Sequence, residues 1–232
     1  MIKRMKWILF VCIIAIVSSV VVAQTAVSDR AKISLKADSS HGNRGDGKKY
    51  TMEYINAVIT LDDTTIVASK VVQNTENDVH VFTATGNPSF KDKENTITGT
   101  TIKANSSPRT AEVIGNIKMV NKPLPTKDNP NPNTTTVTCD KLVYNYAQKT
   151  AVFSGNVRAV QNGKVVVADN AIYESDSDMV YLTGNIKMKN NDNEELRSME
   201  TAESVTLALT EEWVDIVAKT GQKVEFVFEF DE

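Results

Sequence analysis

One dipeptide, Gly-Asn, recurs along this chain inside stretches of the same alternating pattern. The segments around Gly86-Asn87, Gly115-Asn116, Gly155-Asn156 and Gly184-Asn185 share one design, and the glycines are 29, 40 and 29 residues apart. Self-similarity at such a spacing means a small structural unit used again and again. In the third copy Ala151, Phe153, Gly155, Val157 and Ala159 share one parity, while Thr150, Val152, Ser154, Asn156 and Arg158 share the other. The fourth copy sets Val180, Leu182, Gly184, Ile186 and Met188 against Tyr181, Thr183, Asn185 and Lys187. In the second, Ala111, Val113, Gly115, Ile117 and Met119 fall in phase; in the first, Phe82, Ala84 and Gly86 do. A period of two means strands with one buried face. Glycine within a strand weakens it and marks a bulge, a bend or a close backbone approach. Strands that each bend at a glycine can pass from one sheet wall to another. Asp215 to Gly221 is a looser fifth copy.

A second element lies between the glycines. Cys139-Asp140-Lys141-Leu142-Val143-Tyr144 aligns with Ala168-Asp169-Asn170-Ala171-Ile172-Tyr173, and Ala202 to Leu207 and Ala68 to Val72 resemble both. Short polar segments such as Gln161-Asn162-Gly163 separate the elements, as hairpin turns do. The long glycine spacing contains Lys122 to Asn133, which holds four of the six prolines. Proline removes ladder donors, so this stretch reads as a surface insertion, bounded here as 121–136. His41 to Lys49 reads as a charged, Gly-containing loop, and Ile33, Leu35 and Ala37 alternate as in a strand. No convincing helix follows residue 23; Gln24 to Ser40 fits a short helix or a strand, and the alternation from Ala31 to Ala37 favours the strand.

The N-terminus reads as a targeting element. Lys3, Arg4 and Lys6 precede an uncharged apolar run from Trp7 to Ala23. Val21-Val22-Ala23 before Gln24 suits cleavage of a signal peptide; the length of the run also allows a retained membrane anchor. Both readings place the rest of the chain outside the cytoplasm. Loss of residues 1–23 removes three basic and no acidic residues, taking the net charge from −3 to −6. The expected organisation is a signal or anchor over 1–23, an N-terminal strand and loop over 24–54, and repeats over 55–232.

Several chemistries find little support. Charged residues make up 24% of the 232-residue chain, with no basic stripe interleaved with aromatics, so nucleic acid is not the expected partner. His41 and His80 are far apart with no cysteine beside them, so no metal site is expected. Cys12 lies in the targeting run, and Cys139 would stand alone after cleavage. The Asp62-Asp63 and Asp176/Asp178 pairs read as turn formers rather than as a catalytic dyad. No cofactor-binding or nucleophile motif is present, and no catalytic residues are expected.

The tandem pattern T-x-x-F-S/T-G-N-V, followed by a turn and A-D-x-A/L-x-Y, resembles the OstA-like family of lipopolysaccharide-transport modules, to which LptA, LptC and the N-terminal domain of LptD belong. Thr150 to Val157, Val165 to Tyr173 and Met179 to Ile186 carry the likeness; weaker copies extend it over about Ile55 to Gly221. The resemblance implies an all-β fold, a twisted, half-open β-jellyroll of tandem antiparallel strand repeats with an apolar trough. It implies a periplasmic lipid-binding transport protein resembling LptA, moving lipopolysaccharide toward the outer membrane. An LptC-like anchored bridge component is the alternative within the family. A structural β-solenoid surface protein is the alternative outside it. Implied partners are lipopolysaccharide and LptC-like or LptD-like modules joined end to end by strand pairing, with a head-to-tail homo-oligomer as a further possibility.

On this reading Phe82, Val113, Ile117, Phe153, Val157, Leu182 and Ile186 line the trough. Their parity serves a filled core equally well. The final alternation sets Phe226, Phe228 and Phe230 against Glu225, Glu229 and Asp231, which fits either a docking edge or an edge guarded by acids.

Overall fold

Alternation throughout the chain has its direct consequence in the structure: every regular element among the described residues is a β-strand. The computed structural model describes residues 33–45, 49–61, 64–77, 79–122, 124–125, 130–131, 133–145, 147–174, 176–177, 179–189, 201–208 and 213–223. The targeting segment 1–23 and the expected docking residues Phe226, Phe228 and Phe230 lie outside them.

The strands are β1 (Ile33–Lys36), β2 (Ser39–Arg44), β3 (Lys49–Leu61), β4 (Thr64–Glu76), β5 (Val79–Thr85) and β6 (Ser89–Lys91). They continue with β7 (Asn95–Thr98), β8 (Thr101–Ser106), β9 (Arg109–Asn121), β10 (Thr135–Asn145) and β11 (Thr150–Gln161). The last are β12 (Lys164–Glu174), β13 (Met179–Thr183), β14 (Lys187–Lys189), β15 (Ala202–Ala208) and β16 (Trp213–Ala218). All belong to one sheet whose main path runs nearly in chain order from β1 through β16. Every pairing is antiparallel, as short hairpin connections require. Asn162 and Gly163 both have positive φ between the paired residues Gln161 and Lys164, the geometry of a two-residue hairpin turn.

The sequence and the structure differ at one place in this outline. His41–Arg44, expected in a loop, is part of β2 and pairs with β3 from Glu53 to Tyr50. Gly45 N–H donates to the Lys49 carbonyl at 2.8 Å beside this pairing, so a short polar segment with few apolar residues still serves as a strand. The proline-rich segment joins strands that are direct neighbours, since Asn121 pairs with Thr135.

At each Gly-Asn the strand is broken by a bulge. Ser154 pairs with Asn170 and Val157 with Ala168, so Gly155 and Asn156 together oppose Asp169 alone. On the other side the same two residues face Asp140. Both lie in the left-handed region, with φ of 75° at Gly155 and 50° at Asn156. A Cβ on Gly155 would lie 2.9 Å from Asp140 Cβ, and one on Gly184 would lie 2.8 Å from Asp169 Cβ. Glycine is therefore required both by φ and by close approach. The asparagine then clamps the bulge: Asn156 Nδ2 donates to Asp140 Oδ2 at 2.8 Å, and Asn185 Nδ2 to Asp169 Oδ2 at 2.8 Å. At the earlier copies a hydroxyl takes the place of the carboxylate. Ser69 Oγ donates to the Gly86 carbonyl at 2.9 Å, and Thr100 Oγ1 to that of Gly115 at 3.2 Å. Asn56, with φ of 50°, makes a reduced version without glycine by donating to Asp38 Oδ2. Gly221 does not belong to the series; it sits beyond β16 with nothing within 4 Å of its Cβ position.

The bulges divide the sheet into two walls. Wall one holds β2, β5, β8, β13, β15 and β16, with residues 50–55, 70–76, 109–114, 141–145, 150–154 and 170–174 of the long strands. Wall two holds β1, β6, β7 and β14, with residues 57–61, 64–68, 117–121, 135–139, 157–161 and 164–168. One core cluster draws side chains from both, including Leu142, Phe153 and Val205 from wall one and Phe90, Ile97 and Met119 from wall two. Exposures of 3% or less at these six residues require a second layer over the sheet. Among the described residues only the other wall can supply it, so the sheet folds over on itself along the line of bulges.

The A-D-x element is the counterpart of each bulge. Its strand changes inward parity there: Cys139 is buried, Asp140 and Lys141 are exposed, and Leu142 is buried. Ala168, Asp169, Asn170 and Ala171 repeat the order. The shift lets both halves of one strand point inward on either side of the fold.

The Cys139 thiol lies at this fold line, 4% exposed, and burial pushes its pKa up to about 12, with the Asp140 carboxylate adding to the rise and a backbone hydrogen bond from Lys141 opposing it. A thiol whose folded pKa lies above its unfolded value favours the folded state fully below about pH 9; that contribution is lost as pH rises through about 12. The stability difference between wild type and Cys139→Ala should therefore shift in favour of the variant as pH is raised from about 9 toward 11, measured by denaturant unfolding. Maleimide labelling of the folded protein near pH 8 should be slow, and fast after unfolding.

Replacing Gly155 by Ala should cost about 1–3 kcal/mol in unfolding free energy, from φ strain and crowding against Asp140. Asp140→Ala should cost about 1 kcal/mol through loss of the Asn156 hydrogen bond. The double variant should lose less than the sum, because the Asp140 carboxylate, whose Oδ2 lies nearest the new methyl group, is gone although Cβ remains. Additive losses in denaturant melts would mean that the two positions do not act together.

Candidate functional site: the apolar interior

The inner faces of the two walls carry continuous cross-strand rows of apolar side chains. In wall one a single row runs through Tyr54, Val71, Ala84, Ile102, Val113, Leu142, Phe153, Ala171, Leu182, Val205 and Ile216, each directly opposite the next. With strands about 4.8 Å apart, the row extends over roughly 45–50 Å. Wall two has a matching row of Ile59, Ile66, Phe90, Ile97, Met119, Val137, Ala159, Val166 and Met188. No charged residue interrupts either row.

The structure gathers the seven residues expected to line a trough into one interior. Val113, Phe153 and Leu182 are members of the wall-one row. Ile117, Val157 and Ile186 each follow the asparagine of a bulge and fill the fold line between the walls, as Pro88 and Ala57 do at the earlier copies. Phe82 sits one step farther from the fold, opposite Ala104 and Gln73. The first six are at most 5% exposed, while Phe82 is half-buried. Half-buried apolar residues collect away from the fold line and at the ends of the rows: Phe82, Ala104 and Val180 on wall one, Ala159 and Met188 on wall two, Tyr54 and Ile216 at the ends.

Much of this interior was not singled out in the sequence. Leu142 and Val205 are as buried as Phe153, and they belong to the A-D-x element rather than to the Gly-Asn strands. The signal was present in the buried, exposed, exposed, buried order at Cys139 to Leu142, which breaks strict alternation. In the wall-two row Ile97 was hidden for a different reason: β7 is four residues long, too short to show a period.

Polar side chains border the interior. On wall two Asn95, Asn121, Thr135 and Gln161 form the next inward-facing row, all buried. Gln161 Nε2 donates to Thr135 Oγ1 at 2.7 Å and Asn121 Nδ2 to Asn95 Oδ1 at 2.8 Å; Asn121 Oδ1 has no partner. On wall one, at the β3 to β5 end, Gln73 Nε2 donates to Tyr50 Oη at 3.1 Å and Gln73 Oε1 accepts from Tyr54 Oη at 3.3 Å, while Thr75 Oγ1 lies 2.8 Å from His80 Nδ1. Burial pushes the Tyr54 phenol above its ordinary pKa, with Tyr50 adding to the rise, so it stays a neutral donor at physiological pH. His80 is thus a hydrogen-bonded margin residue, and no cluster of metal-ligating side chains occurs among the described residues. Asp176, at a turn, pairs with Lys149 at 2.7 Å.

Comparison with known proteins gives a limited result. No protein-family model matches the chain, and no curated protein matches it in sequence. Among solved structures it is similar to the crystal structure of LptH, the LptA-homologous periplasmic component of the conserved lipopolysaccharide transport device from Pseudomonas aeruginosa. That likeness has a TM-score of 0.34 and 16% identity, and covers 69% of this chain and 95% of that one.

Proposed function

We propose that this chain is a lipid-binding transport protein of the periplasm that takes the acyl tails of an amphiphile, lipopolysaccharide in the first instance, between its two walls. The observation that carries the reading is the pair of uninterrupted apolar rows, bordered by polar rows, in a sheet that folds over with no helix among the described residues to plug it. Burying a methylene gains about 0.8 kcal/mol, so a chain of about a dozen carbons gains roughly 10 kcal/mol. A slot of this kind needs apolar continuity along its length and polar partners only at its margin. The OstA-like motifs at Thr150 to Val157 and Val165 to Tyr173 point the same way. The half-buried margin at Phe82, Ala104 and Val180 is where a tail would enter. Binding and carriage of this kind require no catalytic group.

Both ends of the sheet offer backbone groups for strand addition. Among the described residues β1 and β2 pair only with β3, and β16 pairs only with β15. Partner modules of LptC-like or LptD-like type would join there, end to end. With residues 1–23 retained, the same body would act as an anchored bridge component.

The tight burial of Val113, Phe153 and Leu182 favours a second reading, a structural β-protein whose interior is simply its core. The two readings differ in what the interior touches in cells. Photo-crosslinking residues at Phe153 and Leu182 should capture lipopolysaccharide, and native mass spectrometry of the purified protein should show co-purified lipid. Capture only at the outward-facing Thr183, with no retained lipid, would leave the structural reading standing.

A further inference from the structure

The inner face of wall two ends in a row of buried polar side chains whose hydrogen bonds do not close. Asn95, Asn121, Thr135 and Gln161 stand opposite one another across β7, β9, β10 and β11, between 1% and 7% exposed. Each lies two residues along its strand from a member of the apolar row: Ile97, Met119, Val137 and Ala159. Two residues of strand are about 7 Å, so the polar row runs directly beside the apolar one.

One carboxylate sets the orientation of the amides. Asp92, in the turn between β6 and β7, accepts from Asn95 Nδ2 at 3.1 Å on Oδ1 and 3.3 Å on Oδ2. A carboxylate only accepts, so the Asn95 amide turns its nitrogen to Asp92 and its oxygen away. Asn121 Nδ2 donates to that oxygen at 2.8 Å. Asn121 Oδ1 is thereby turned away from Asn95, and exchanging it with the nitrogen would set two oxygens face to face. Among the described residues it is the one buried side-chain nitrogen or oxygen without a hydrogen-bond partner. The turn is tied to the chain leaving β9: Lys122 N–H donates to the Glu94 carbonyl at 2.6 Å, and Leu124 N–H to Glu94 Oε1 at 3.1 Å.

A buried amide pair specifies strand register by itself; an open acceptor beside it only adds cost. An acceptor fixed in place, buried and set against an apolar row matches a ligand with a hydrogen-bond donor on an otherwise apolar body. Thr135, opposite Asn121, accepts from Gln161 Nε2 and keeps its own O–H to donate. A hydroxyl suits both residues, because it donates and accepts. We infer that this row is a subsite for a hydroxyl carried on an acyl tail close to its polar end, with Asn121 Oδ1 as the acceptor. The inference rests on the reading of the interior as a site for acyl tails and adds to it a preference among tails.

The test measures the affinity of the full-length chain for dodecanoic, β-hydroxydodecanoic and ω-hydroxydodecanoic acids, by displacement of a fluorescent acyl probe below their micellar concentrations. The β-hydroxy acid should bind roughly tenfold more tightly than the plain acid. The ω-hydroxy acid carries its hydroxyl to the far end of the tail and should bind no more tightly than the plain acid. In Asn121→Leu, which keeps the volume and removes the acceptor, the β-hydroxy and plain acids should bind within about twofold of each other. Thr136→Val, one residue along on the outward side of β10, should keep the preference. Circular dichroism checks that the variants fold. If Asn121→Leu does not, Thr135→Val takes its place and should lower the preference at least about threefold. Equal affinities for the β-hydroxy and plain acids in the wild type would overturn the inference. So would an undiminished preference in the folded variant, or an equal gain from the ω-hydroxyl. Binding of the β-hydroxy and plain acids without preference would leave the reading of the interior standing, whereas no binding of any acid would remove that reading and the subsite with it.

Discussion

Close approach between a Gly-Asn bulge and a short polar side chain on the neighbouring strand holds this architecture together. At Gly155 and Gly184 the backbone comes so near to Asp140 and Asp169 that no Cβ fits, and the asparagine amide then binds the same carboxylate. A bulge in one strand would only twist a sheet locally. Here the bulges stand at matching heights from β4 to β13, so their bends add along one line and the sheet closes over its own apolar face. The partner strands contribute equally. The A-D-x order turns two successive side chains outward at the fold, which keeps both halves of each strand facing inward.

Once the sheet folds over, the remaining chemistry is sorted by position. Residues nearest the line, such as Ile117, Val157 and Cys139, are sealed from water. Residues one or two steps away form the long apolar rows. Farther out, wall two ends in amides and hydroxyls that bond to one another and leave the Asn121 carbonyl oxygen over. Burial weakens outward from the fold because the two layers cover each other best where they are joined. That gradient suits a molecule with an apolar body and a polar end, and the same gradient would stabilise an ordinary two-layer core.

Much of the fold was legible in the Gly-Asn strands. The repeats at Gly86, Gly115, Gly155 and Gly184, the strand period and the role of glycine as a bend all follow from residue order. Residues such as Phe153 and Leu182 could be placed on the inner face because alternation is intact around them. Leu142 and Val205 could not, because their element shifts parity in its middle. His41–Arg44 read as a loop because a short strand at an edge needs no apolar residues when its backbone is paired by β3. Gly221 looked like a fifth bulge because its local sequence is similar, but no strand approaches it.

By itself, then, the sequence determined that the chain is built of repeated, bent, one-faced strands, since parity and glycine spacing are local properties that survive without knowledge of neighbours. Only the tertiary structure decided how the copies combine. The alignment of bulges into one fold line depends on register between residues far apart in the chain, 26 positions at the Asn95 and Asn121 pair and 29 at the Met179 and Ala208 pair. The division of each long strand between the two walls depends on which of its residues lie on which side of that line. Both are long-range facts, because a side chain's neighbours across a sheet are set by hydrogen-bond register and not by its place in the chain.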